Sequence, residues 1–157
     1  MIAIRHLQSG RVLVEVDSPS LAGANLAGEY LIHADLRETD LRSATLVYCN
    51  LSLADLSHSD LQGANLKGAN LTEADLSGAN LHGVNLAGVT LSLTALRGCV
   101  NLHHAEGLHQ VVHAGPCILD AETLRHSAAY LGDRFLRGAG FTRAEIADLR
   151  RRYPGAE

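Results

Sequence analysis

The chain has 157 residues, a net charge of -4 at neutral pH and only 4% aromatic residues, with no Trp. That is long enough for one domain with a core, which must be built from Leu, Ala and Val, and too mildly charged for direct nucleic-acid binding. Three widely spaced cysteines (Cys49, Cys99 and Cys117) form no disulfide framework, which implies reduced thiols and a cytoplasmic protein. The opening "MIAIRHLQSG" lacks the basic start and long apolar run of a leader. No stretch approaches the roughly 18 apolar residues of a membrane helix.

In chain order, residues 1–18 are expected to end in a capping strand, because "RVLVEVD" (11–17) alternates and is rich in β-branched residues. From 19 to 98 the chain repeats. Leucine occupies every fifth position from Leu21 to Leu96 without a miss. On a helix a step of five advances about 140° past one turn and scatters the leucines around the surface. On a straight strand, residues five apart point to opposite faces. Only a chain that turns after every five residues can bury them all. Glycine stands two places after many of the leucines, as at Gly63, Gly68 and Gly78, where a corner needs freedom from a Cβ. Alanine stands two places before most, and Asp or Asn immediately before. Fixed-period self-similarity marks a solenoid, whose units bury their apolar faces by stacking.

The units "ANLKG", "ANLTE", "ADLSG" and "ANLHG" resemble the pentapeptide-repeat family, whose motif is A(D/N)LXX. The resemblance covers residues 19–98 and implies an all-β solenoid: a right-handed quadrilateral parallel β-helix with four pentapeptides per coil. About four coils then give a prism about 19 Å tall. The first coil is irregular, with Pro19 and Glu29 in alanine positions and Tyr30 in that of Asp or Asn.

The register breaks after Leu96, so residues 99–119 are expected to be a connector. It holds Cys99, His103, His104, His109, His113 and Cys117. A spacing of four between His109 and His113 on a helix would suit zinc, but no Cys-x-x-Cys pair anchors a site. The reading adopted is a surface connector with no metal and no cofactor. Residues 120–157 are expected to form a small α-helical C-terminal cap. Asp120 can cap a helix through "AETLRHSAAYL", "DRFLRGAGF" reads as a short helix ending at glycine, and "TRAE" (142–145) is a capping box opening a helix to about Arg152. The stretch "FLRGAGF" resembles helical segments that follow pentapeptide arrays in some larger bacterial proteins.

Two surface patterns are candidate sites. At a spacing of twenty, Asp35, Asp55 and Asp75 stack in one column, and Asp40 and Asp60 in the next, as an acidic strip or as a free exchange of Asp for Asn. Tyr30, Ile32, Leu53 and Leu93 are apolar residues in outward positions of one face, with Tyr48 near its edge. Such a stripe is covered either by the chain's own helices or by a protein partner, a second copy included. No phosphate loop, nucleophile elbow or recognisable Cys–His setting is present, so no enzyme is expected. The expected function is a protein–protein interaction scaffold without membrane contact. The alternative, implied by the family resemblance, is a DNA mimic that binds DNA gyrase through its acidic face.

Overall fold

A computed structural model describes residues 1–155. Each five-residue unit spends two or three residues on a side and the rest on a corner. At one corner the Ala44 N–H donates to the Leu41 carbonyl at 3.0 Å, and Ser43, the second of the two residues between them, has φ of 57°. A positive φ recurs at this third position in all sixteen units, eight times on glycine and eight times on another residue. Each side then meets its counterpart twenty residues on. The Leu41 N–H donates to the Asp60 carbonyl at 2.9 Å, and the Asp60 N–H donates back to the Thr39 carbonyl at 3.0 Å. Parallel bridges of this kind run from Asn25↔Thr45 through Asp75↔Ala95, which makes the winding four-sided with twenty residues per turn. Sides this short rarely register as strands, and only a few two-residue strands interrupt the bridges.

The leucines fill the axis. Leu31, Leu41, Leu46, Leu51, Leu56, Leu61, Leu66 and Leu81 have no exposed surface, and the alanines beside them are equally buried. Cys49 and Cys99 occupy alanine positions, and their thiols donate to the carbonyls of Leu26 and Leu76 at 2.7 and 3.0 Å. Ser59 and Thr94 likewise donate to the carbonyls of Leu56 and Leu71, so these four polar side chains inside the tube are satisfied, whereas Nε2 of His113 in the last turn is buried without a partner.

The N-terminal segment differs from expectation. Residues 11–17 do form a strand, β2 (Val12–Val16), but it pairs only with β1 (Ile2–His6), and it is β1 that pairs antiparallel with the coil at β3 (Ala34–Asp35). "IAIRH" is short, yet its Ile4 is buried in the common core, which places it inside β2.

The ladder also continues past residue 98. Val100 bridges to Asn80, Glu106 to Asn85 and Ile118 to Ala95, and β4 (Thr90–Leu91) pairs parallel with β5 (Val112–His113). The separations grow from 20 to 21, 22 and 23, so residues expected as a connector wind a further turn with one residue inserted at successive corners. In this turn the position above Leu91 is His113, whose ring meets Phe135 edge-on at 5.0 Å. Gly107 approaches the backbone of Ala87 so closely that any Cβ there would clash.

Three helices lie on that last turn: α1 (Ala121–Ser127), α2 (Asp133–Gly138) and α3 (Arg143–Arg152). Asp120 caps α1, accepting from the Thr123 N–H at 2.9 Å and also from the Gly98 N–H at 3.1 Å. Helix α1 stops at Ser127 rather than running on through Leu131. Thr142 and Glu145 form the expected capping box. Phe135, Leu136, Ile146 and Leu149 are buried in the same core as the leucines, and Arg150 ties α3 to the carbonyls of Ala128 and Leu131. The end of the segment expected as a helical cap, residues 156–157, lies outside the described residues. Among the described residues, no helix is long and apolar enough to cross a membrane.

Candidate interaction surface

The residue before each leucine explains why the motif takes Asp or Asn. In all eleven units that carry one, its Oδ1 accepts the N–H two residues on, at 2.8 to 3.5 Å. Either residue supplies that oxygen, so the column of Asp35, Asp55 and Asp75 has a local structural role at each level.

The acidic columns are also compensated within the chain. Arg37 forks onto Asp35 at 2.8 and 2.7 Å and lies 3.9 Å from Asp55. Arg42 repeats the pattern on Asp40 at 2.9 and 2.7 Å and lies 3.7 Å from Asp60. Side-chain hydrogen bonds from Arg42 hold the Asp40 carboxyl down at about 2, and those from Arg37 hold Asp35 below its ordinary value. Asp60 accepts further from Asn80 at 3.0 Å, and Asp75 accepts from the Ser77 N–H at 2.8 Å. The sequence carried the signal for this pairing in the two consecutive "DLR" triplets at 35–37 and 40–42.

The apolar stripe is present and uncovered. Tyr30 is 76% exposed, Tyr48 67%, Leu93 52% and Leu53 37%, with Ile32 close behind. The C-terminal helices pack on the last turn instead of lying along this face. Three stripe residues are in an unusual backbone state: Tyr48, Leu53 and Leu93 occupy the left-handed corner position at φ of 57°, 60° and 51°. There Cβ crowds the following carbonyl, at about 1–2 kcal/mol per residue relative to glycine in that conformation. The Tyr48 ring extends onto the next turn and lies over Gly68, where any side chain would collide with it. The face behind them carries few charges: the column of Tyr30, Asn50, Asn70 and Thr90 is neutral, Glu73 is the one charge among the corner residues His33, Leu53, Glu73 and Leu93, and Glu29 stands beside Tyr30.

The Cys and His residues of 99–117 do not converge. Cys99 points into the tube, His109 lies in a single 3-10 turn (Leu108–Gln110) and His113 in β5, so those two histidines share no helix. Cys117 Sγ and His113 Nδ1 are 3.7 Å apart, and burial pushes both Cys99 and Cys117 up to about 12. His103 and His104 lie with their rings tilted at 4.1 Å, His104 lies 5.1 Å from His82, and His103 stacks on Tyr130 at 5.2 Å. Among the described residues, no group of three or more His, Cys, Asp or Glu side chains is placed to hold a metal ion.

Comparison with known proteins places this architecture. The pentapeptide repeats family matches in 8 copies over residues 20–57, 49–88 and 74–106. No curated protein matches the chain. Among solved structures, it is similar to alr5209, a pentapeptide repeat protein from Nostoc Pcc 7120, at 32% identity over 66% of this chain and 73% of that one, with a TM-score of 0.33. It is also similar to the pentapeptide repeat protein Rfr23 from the cyanobacterium Cyanothece 51142, at 38% identity over 62% of this chain and 61% of that one, with a TM-score of 0.29. A further similarity is to QnrB1, a plasmid-mediated fluoroquinolone resistance protein, at 20% identity over 88% of this chain and 84% of that one, with a TM-score of 0.33. With its leucine-filled tube, its twenty-residue turn and its A(D/N)LXX units, the chain belongs to the pentapeptide repeat family.

Proposed function

We propose that the chain is a non-catalytic interaction module that binds a protein partner through the face carrying Tyr30, Ile32, Leu53 and Leu93, with Tyr48 at its edge. One observation carries this reading. Tyr48, Leu53 and Leu93 are large apolar side chains, exposed to solvent, in a backbone conformation that disfavours them and that glycine fills at eight other corners. Folding alone gains little from such residues, whereas a partner that covers them gains apolar burial at about 25 cal/mol per Å². A face with few charges suits an apolar surface on the partner. The acidic columns support DNA mimicry less well, because Arg37 and Arg42 offset the charge such mimicry needs.

The test is a capture experiment with three baits: the intact chain, a variant with Tyr30, Tyr48, Leu53 and Leu93 all changed to Ser, and a variant with Asp35, Asp55 and Asp75 all changed to Asn. Capture of a stoichiometric partner by the intact and Asn baits, lost with the Ser bait, is the expected result. Loss with the Asn bait alone would move the site to the acidic column.

A further inference from the structure

One titratable ring lies in the seam between the last turn and the helices that cap it. His113 ends β5 above Leu91, with its ring edge-on to Phe135 of α2 at 5.0 Å and so close beneath Gly138 that any side chain there would collide with it. Its Nδ1 lies 3.7 Å from the Cys117 Sγ, and its Nε2 is buried with no hydrogen-bond partner among the described residues. Burial pushes the Cys117 thiol up to about 12, so at neutral pH it is an S–H that can donate weakly to Nδ1, and it offers an imidazolium no negative charge. Strand β4 contributes only Thr90 and Leu91 on the other side. The charge of α2 that acts on the ring is Arg134; burial first, and this guanidinium second, hold His113 below the ordinary histidine value. The carboxylates of α2 and α3 are engaged elsewhere. Asp133 accepts from Arg150 at 3.1 Å, Glu145 from the Thr142 N–H at 2.8 Å and Asp148 from Arg151 at 3.2 Å. A protonated His113 therefore puts a charge in the seam with no anion beside it and an N–H that nothing accepts.

We propose that His113 makes the C-terminal cap acid-sensitive: protonation of its ring releases α2 and α3 from the last turn and uncovers Cys117, while the coil stays wound. The Cys117 N–H donates to the Ala139 carbonyl at 3.3 Å, so the junction between α2 and α3 is what covers this cysteine. Because the folded-state value of His113 is depressed, the cap keeps its full stability above about pH 6.5 and loses it as pH falls below that, until the folded-state value is passed. The coil yields later, since the Asp40–Arg42 pair holds until pH falls toward about 2. His103 adds a smaller share from the side of α1. It too is depressed by burial, with His104, His126 and His82 around it, but the Ser127 Oγ at 3.4 Å from its Nδ1 can accept from the imidazolium, and His126 lies against Glu122 at 3.2 Å. The device sits at the end of the tube and is independent of the apolar face.

Cys117 reports the cap, and Cys49, buried inside the coil, is the control. Both are read by mass spectrometry after brief exposure of the intact chain to a dipyridyl disulfide, which reacts with thiols at acid pH because its pyridinethiol is a good leaving group. With rates divided by that of a small free thiol at the same pH, labelling of Cys117 is expected to rise about tenfold between pH 7.5 and pH 5, with Cys49 unchanged. His113→Leu, which cannot take up a proton, is expected to hold the rise within about threefold. Arg134→Glu, at an exposed position of α2, gives the imidazolium a carboxylate and is expected to do the same. Should leucine leave the cap open already at pH 7.5, the Arg134 variant decides alone. Cys117 as slow at pH 5 as at pH 7.5, Cys49 rising in step with it, or a full tenfold rise in either variant would each overturn the proposal.

Discussion

Replacing Leu61 by alanine tests whether the axis of the coil is packed as the ladder implies. Leu61 has no exposed surface and lies between Leu41 and Leu81, also fully buried, one turn before and one turn after. Transfer of the lost methyl and methylene groups accounts for about 2 kcal/mol, and a residual cavity of about 70 Å³ at about 24 cal/mol per Å³ adds about 1.7 kcal/mol, for a total of about 4 kcal/mol. A tube wall tied turn to turn by backbone hydrogen bonds has little freedom to collapse into the gap, which favours the upper part of the usual range. Leu53 is the internal control: it lies eight residues away, is off the five-residue period and is exposed, so Leu53→Ala is expected to change stability by no more than about 0.5 kcal/mol. Urea unfolding followed by far-UV circular dichroism is the assay, since the chain has no Trp. Equal losses at the two positions, or a loss below about 1 kcal/mol at Leu61, would refute the assignment of inside and outside.

At Asp75, which has no arginine partner, Asp75→Asn keeps the Oδ1 that accepts the Ser77 N–H and is expected to melt with the parent, whereas Asp75→Ala should cost about 1 kcal/mol in a thermal melt. Asp40 should titrate at about 2 by carboxyl NMR, and Arg42→Gln should return it toward 3.8. Because its folded-state value is depressed, the Asp40–Arg42 pair stabilises the fold above about pH 4, and that contribution is lost as pH falls toward about 2. Native protein at pH 8 should resist alkylation at Cys49, Cys99 and Cys117, all buried, and mass spectrometry should find all three modified only after denaturation.

The regular part of the chain was legible because one physical demand, a buried leucine at each turn, leaves a mark at every fifth residue. The irregular parts failed for identifiable reasons. β1 is five residues long and its alternation is weak, so Ile4 does not announce the coil it packs against. The turn after Leu96 hides behind its insertions: with one residue added at successive corners, His113 takes the place above Leu91 and the five-residue spacing dissolves although the hydrogen-bond ladder does not. The apolar stripe and the corner two places after each leucine were both legible in the sequence. What the structure adds is that Tyr48, Leu53 and Leu93 keep the positive φ of that corner although they are not glycine. The acidic strip was read from column spacing, and its neutralisation by Arg37 and Arg42 depends on side-chain geometry within the unit.

The most direct measurement on the apolar face is the double variant Tyr48→Gly/Leu93→Gly, read for both melting temperature and partner capture. Glycine relieves about 1–2 kcal/mol of left-handed strain per site against an entropic cost of about 0.5–1 kcal/mol. If these side chains are kept for binding, the variant melts at an equal or higher temperature and no longer captures the partner. A variant that melts well below the parent, or that captures the partner as before, would contradict the account.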